Sequence, residues 1–194
     1  MNFLALLGGL FSFLVYPLYI RDFIKHEEKK PSKATWLIWL VLDFLLLGSM
    51  YSKDSVNLQI VACTIGASVV WLLSLKYGVK GWTLIDTLCV IGAAIGIVGW
   101  IVFSANWAIV SCSISAIIGA IPTLNSVFDD YRRESKLAWI MGLLAGVLTT
   151  LSIRMGDGDF IAYFTQPVAY LFISIVICFL LFTLPYFKKS TSKN

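Results

Sequence analysis

The sequence predicts an all-α membrane protein with seven transmembrane helices, and three observations carry that reading. Of the 194 residues, 59% are hydrophobic. Charged residues number only 15 basic and 11 acidic. The apolar residues gather in seven runs of about the 17–25 residues that a helix needs to cross the hydrocarbon core. A soluble domain is about 25% charged and 45–50% apolar, so a chain of mean hydropathy +0.85 cannot cover itself in water. This excludes a cytosolic enzyme, a nucleic-acid-binding domain and a secreted disulfide scaffold. Disorder is excluded too, because its signature is polar and highly charged.

The first run, 2–20, leads into Tyr16-Pro17-Leu18-Tyr19, with no basic segment ahead of it and no small-residue cleavage site. It reads as a retained helix, not a signal peptide. The second, 34–51, follows Ser32-Lys33 and carries Trp36, Trp39 and Asp43. The third, 56–75, opens with Asn57 and Gln59. The fourth, 82–103, and fifth, 105–124, carry Trp82, Trp100 and Trp107 at their ends, where tryptophan anchors a helix in the membrane interface. The sixth, 137–153, is short and rich in Gly and Thr, and the seventh, 162–186, has Pro167 near its start. Cys63, Cys89, Cys112 and Cys178 all lie inside apolar runs without metal-ligand spacing, so they read as small buried hydrophobes. No cofactor or metal is expected.

Seven spans place the two ends on opposite sides. Loops 21–33, 76–81 and 125–136 and the tail from 187 hold Arg21, Lys25, Lys29, Lys30, Lys33, Lys76, Lys80, Arg132, Arg133, Lys136, Lys188, Lys189 and Lys193. The other side has only Lys53 and Arg154. Thirteen against two in short loops predicts an outside N-terminus and a cytoplasmic C-terminus. The net charge of +4 is then an orientation signal, and no nucleic-acid partner is needed to explain it.

The chain also repeats itself. Pro17 and Phe23 recur as Pro122 and Phe128 at an offset of 105. Ser32, Lys33, Trp36, Leu40, Leu45 and Ser49 recur as Ser135, Lys136, Trp139, Leu143, Leu148 and Ser152 at an offset of 103. Pro, Ser-Lys and Trp in register are not cheap coincidences. The expected organisation is a three-helix repeat over 1–76, a linker helix over 77–104, a second repeat over 105–187 and a cytoplasmic tail over 188–194. An odd linker makes the repeats parallel, an arrangement transporters use with a midplane site between the halves.

These residues resemble the PQ-loop superfamily, which includes the SWEET sugar facilitators, vacuolar and lysosomal amino-acid exporters, and fold relatives such as the PnuC vitamin carriers. Members carry Pro-Gln or Pro-Thr at the cytoplasmic end of the first helix of each repeat. Here those positions read Pro17-Leu18 and Pro122-Thr123. The vacuolar type often has Trp-x-x-Gly-Asp in its second helix, against Trp39-Leu40-Val41-Leu42-Asp43 here. The resemblance implies a 3+1+3 fold and a transporter.

Asp43 is the most informative single residue. A carboxylate at mid-span faces the bundle interior or is neutralised. Trp36, Trp39 and Asp43 fall at i, i+3 and i+7, on one helix face. Aromatic walls around a carboxylate suit a small solute with an apolar body and a polar or cationic end, and a buried acid suits coupling to protons. The competing reading is interhelical packing by a hydrogen bond. The second repeat presents Trp139, Gly142 and Gly146 in the equivalent stripe, as cavity space or as a close-approach motif. Asn57, Gln59 and Gln166 are candidates for the solute path, or for the interface where water satisfies them, with Asn57 and Gln59 two residues apart and so on different helix faces. Pro17 and Pro122 are candidate hinges of an inner gate, or simple helix breaks. Asp86, one turn inside the fourth span near Lys80, can reach the interface.

The expected function is transport of a small polar solute (a sugar, an amino acid or similar) across the cell membrane by alternating access, with the bilayer, the solute and protons as partners. A PnuC-like vitamin-precursor carrier and a non-transporting receptor or sorting module of the same fold are the alternatives. No paired catalytic constellation points to an enzyme.

Overall fold

A computed structural model of the chain describes residues 2–26, 30–153 and 158–191, with side chains as far as Pro185. Lys29, Arg154 and Lys193 of the charge asymmetry lie outside the described residues. Every regular element among those described is helical: α1 (Phe3–Lys25), α2 (Lys33–Tyr51), α3 (Leu58–Tyr77), α4 (Leu84–Val102), α5 (Ala105–Gly119), α6 (Ile121–Asp129), α7 (Lys136–Ser152) and α8 (Phe160–Thr191). Six helical stretches, with α5 and α6 taken together as Ala105–Asp129, are long and apolar enough to cross a membrane. The 17-residue α7 is a shorter apolar helix. The architecture is that of a multi-pass helical membrane protein.

Three boundaries differ from the sequence expectation. The fifth span is not one helix to residue 124. It breaks at Ala120, and α6 continues to Asp129 with Pro122 in its first turn, where a missing N–H costs nothing. Pro17, by contrast, lies inside an unbroken α1 that runs eight residues past it. The two prolines therefore sit in different settings. Helix α8 continues to Thr191, so the first residues of the expected tail are helical.

Helix ends are fixed by side-chain caps. Ser32 accepts the Thr35 N–H at 3.3 Å, and Ser135 accepts the Ala138 N–H at 3.4 Å, each covering an orphan donor of the first turn. Thr83 and Asp86 form a reciprocal capping box at the start of α4. Asp86 is thereby only 3% exposed, and it accepts a further bond from the Thr35 hydroxyl at 3.3 Å. It is a buried cap tying α4 to α2, not a residue reaching the interface. One backbone bridge pairs Ser32 with Val79: Val79 N–H donates to Pro31 at 2.9 Å and Lys33 N–H to Val79 at 3.1 Å. It fastens the α1–α2 and α3–α4 loops together at what we term the basic end.

Helix α3 packs between α1 and α2, and α8 between α5 and α7. Across these groups α1 lies along α7 and α2 along α5, while α4 packs on α5 and touches α2. The interior is rich in small residues, with Ala62, Ala67, Ala108, Ala116, Ala138 and Ala145 all buried. In lipid, association comes from close packing and interhelical hydrogen bonds, not from escape from water, and small side chains permit that approach. Leu42, Leu46, Ile60, Ile109, Ile177 and Leu181 fill the remaining core. Large apolar side chains such as Phe44, Leu72, Ile95, Ile101 and Phe179 point outward, leaving a surface suited to hydrocarbon.

Candidate functional site

A cavity of about 130 Å³ lies between the two helix groups. A single water needs roughly 10–15 Å³ by this measure, so the space suits a small solute. Helix α1 contributes Ser12, Val15, Tyr16 and Tyr19, and α2 contributes Thr35, Trp36 and Trp39. From α3 come Gln59 and Cys63, from α7 Ala138, Trp139, Gly142 and Ala145, and from α8 Tyr170 and Ser174. Thr123 and Glu134 line it towards the basic end. Glu134 is the one charged side chain among these lining residues.

The aromatic wall is built by pairs. Tyr19 and Trp36 lie with ring centroids 5.2 Å apart, and Trp39 meets Tyr170 edge-on at 6.2 Å. The Trp39 indole N–H donates to the Gly119 carbonyl at 3.4 Å, at the break between α5 and α6. A Cβ on Gly119 would come within 3.2 Å of that indole nitrogen, so glycine lets the ring sit there. The Trp139 indole donates to the Glu134 carboxylate at 3.0 Å. Tyr16 rests against Gly66, where a Cβ would overlap its ring. All three tryptophans singled out from the sequence thus face one space.

Asp43 stands elsewhere. It is 1% exposed and absent from the cavity wall. The Tyr170 hydroxyl donates to its Oδ1, while its Oδ2 has no hydrogen-bond partner among the described residues. The carboxylate is thus hydrogen-bonded to a wall residue, Tyr170, without itself lining the cavity. Asn57 and Gln166 do not line the cavity either. The Asn57 side chain caps α3, accepting the Ile60 N–H at 2.9 Å, and its Nδ2 donates to Gln166 Oε1 at 3.0 Å. Gln166 Nε2 in turn donates to Gln59 Oε1 at 3.5 Å. The glycines divide. Gly142 lines the cavity, and a Cβ there would make ordinary contact with Ser174 Oγ at 3.4 Å. A Cβ on Gly146 would meet the Leu171 backbone at 3.0 Å, which makes it a packing residue between α7 and α8. Pro17 and Pro122 lie outside the lining.

Beyond Gln59, towards the end opposite the basic one, a polar cluster closes the bundle. Lys53 Nζ pairs with Asp159 Oδ2 at 3.1 Å, and Asn106 Nδ2 donates to the same oxygen at 2.7 Å. Asp159 Oδ1 accepts the N–H groups of Ile161 at 3.2 Å and Ala162 at 3.4 Å, capping α8. The Asn106 amide, then Lys53, hold the Asp159 carboxyl below the usual carboxylate range. The Tyr163 hydroxyl donates to the Asp54 carbonyl at 2.9 Å across the same end.

Sequence reasoning missed Tyr170, which carried no local motif, whereas Gln59, named with Asn57 at the start of the third span, lines the cavity. No family model, curated protein or solved structure matches the chain.

Proposed function

We propose that the chain is a small-solute transporter of the cell membrane, built as two parallel three-helix repeats with α4 as linker and working by alternating access. The observation that carries this reading is the cavity, walled by α1–α3 on one side and α7–α8 on the other and extending to the basic end. No residue of the Lys53–Asp159–Asn106 cluster, which ties the opposite end of the bundle together, lines it. A site between two halves, reached from one side at a time, is what alternating access needs. The repeat reading draws support from the packing. Exchanging α1, α2 and α3 for α5, α7 and α8 turns each neighbour relation among these six helices into another that exists, while α4 packs on one side only, against α5 and α2. Ser32 and Ser135, matched in sequence, cap matched helices, and Trp36 and Trp139 face the same cavity.

The charge asymmetry orients the basic end to the cytoplasm. The solute reads as small and uncharged in its body, held by the aromatic wall, with Asp43 acting through Tyr170. The family resemblance agrees with this reading and adds nothing on substrate.

The test needs no identified solute. Gly142→Cys, in a Cys63→Ala background that removes the one native cysteine on the wall, is exposed to a membrane-impermeant maleimide in inside-out and right-side-out vesicles. Alternating access predicts labelling from both faces. Labelling from the cytoplasmic face alone overturns the proposal, and a reporter fused after Asn194 that proves external overturns the orientation.

A further inference from the structure

Gln59, Gln166 and Asn57 form a chain of amides whose polarity is set at one end. An amide offers an acceptor and two donors, and the network decides which way round it sits. The start is unambiguous: the Ile60 backbone N–H can only donate, so the Asn57 oxygen must face it, at 2.9 Å. Asn57 is then left with its NH₂ towards Gln166, and Gln166 must turn its oxygen to Asn57 and its NH₂ to Gln59. Gln59 receives that donor on Oε1, so its own NH₂ is what remains. Gln59 is 3% exposed, lines the cavity, and its Nε2 makes no hydrogen bond among the described residues. Gln166, fully buried, holds it from behind.

Tyr170, on the same cavity wall, has the opposite sign. The proton of Tyr170 is committed to Asp43, so its oxygen can only accept. A free donor and an acceptor with an open lone pair disfavour a ligand that cannot pair them, because a polar group enclosed without a partner is costly.

We propose that Gln59 is the specificity-determining residue of the cavity, and that it presents an N–H donor to a space whose wall also holds the Tyr170 acceptor. The site then selects a neutral head group with an acceptor next to a donor, such as a primary carboxamide, over an ammonium or a carboxylate. This rests on the reading of the cavity as a solute site and names the solute class. An ammonium has donors only and meets the Gln59 NH₂ with like polarity. A carboxylate has acceptors only and faces the Tyr170 oxygen and Asp43 behind it. The rings of Trp36, Trp39 and Trp139 supply the surface for the body of the solute.

The test uses benzamide, benzylamine and benzoate, one ring with a neutral, a cationic and an anionic head, titrated against tryptophan fluorescence of the purified full-length chain in detergent. Wild type should bind benzamide at least about tenfold more tightly than either charged probe. Gln59→Glu, which replaces the donor by an acceptor, should reverse the order in favour of benzylamine. Should that variant fail to fold, Gln59→Met keeps the shape and should lose the preference for benzamide over toluene. Gln166→Leu, behind the wall, should narrow the benzamide preference by freeing the Gln59 amide to turn.

Equal binding of the three probes by wild type, binding of none, or an unchanged preference in the folded Gln59 variants would overturn the assignment. Probe discrimination as described with Gly142→Cys labelled from one face only would retain this inference and remove transport. Labelling from both faces without discrimination would do the reverse.

Discussion

The Tyr170 hydroxyl donates to Asp43 across 127 residues of sequence, and in doing so ties a residue of the cavity wall to a buried carboxylate. Asp43 has no other side-chain partner, since its second oxygen is unpaired among the described residues. Tyr170→Phe would leave both carboxylate oxygens unmet, so the variant should be less stable by about 1–2 kcal/mol. Adding Asp43→Leu should recover part of that loss, because removing both partners is cheaper than removing one. Thermal unfolding in detergent of the two single variants and the double variant measures the coupling. Additive losses would show that the bond contributes nothing.

The two glycines of α7 should separate cleanly. Gly142→Ala adds a methyl in ordinary contact with Ser174, and stability should stay within about 0.5 kcal/mol of wild type. Gly146→Ala forces the methyl against the Leu171 backbone, so α7 and α8 must part, costing about 1–3 kcal/mol. Midpoints of thermal unfolding for the pair decide it, and equal midpoints would refute the division.

Pro17 and Pro122 should also differ. Pro17 removes a main-chain bond from the interior of α1, whereas Pro122 occupies a first turn that has none to lose. Pro17→Ala should raise the unfolding temperature and Pro122→Ala should leave it unchanged. If rocking of the halves relies on Pro17, that same substitution should slow labelling of Gly142→Cys from the outer face.

Acid should act on the cluster at the end opposite the basic one. The Asp159 carboxyl lies below its ordinary range when folded. Its contribution is therefore fully present above the ordinary carboxylate pKa of about 3.9 and is lost as pH falls through the lowered folded value. Asp159→Asn keeps a residue able to cap α8 but removes the charge paired with Lys53. Its stability should fall less than that of wild type between about pH 5 and pH 2, as read by unfolding midpoints across that interval. Parallel curves would remove Asp159 from the account.

Much of the site was legible because helical periodicity is a local property. Trp36 and Trp39 share a face at i and i+3, and Trp139 falls in register with Trp36, so all three reach one cavity. The burial of Asp43 followed from the cost of a mid-span charge. What covers it did not follow, because Tyr170 lies on a helix far along the chain and a tyrosine in an apolar run carries no signal. Asn57 and Gln59 were separated by assuming 100° of turn per residue between them. Asn57, however, is an extended cap, with φ −113° and ψ 161°. The helical angle does not apply to it, and the long Gln166 side chain meets both residues. The break at Ala120 was hidden for a related reason: the sequence stays apolar across it, and only the first-turn position of Pro122 gives it away.

The backbone bridge at Val79 has a consequence for how the chain is cut. Exposed loops are ordinarily where proteases nick a membrane protein, because the enzyme must pull several residues into an extended strand of its own. Val79 is already extended and already paired, its N–H to Pro31 and its carbonyl to Lys33, and Lys33 Nζ adds a tie to the Leu75 carbonyl at 2.7 Å. Trypsin added from the basic face should therefore spare Lys33 and Lys76, flanking that seam, and enter first at Arg132 and Arg133, on the short turn before α7. The first fragments would then divide the chain between the two helix groups, with α1–α6 in one piece and α7–α8 in the other.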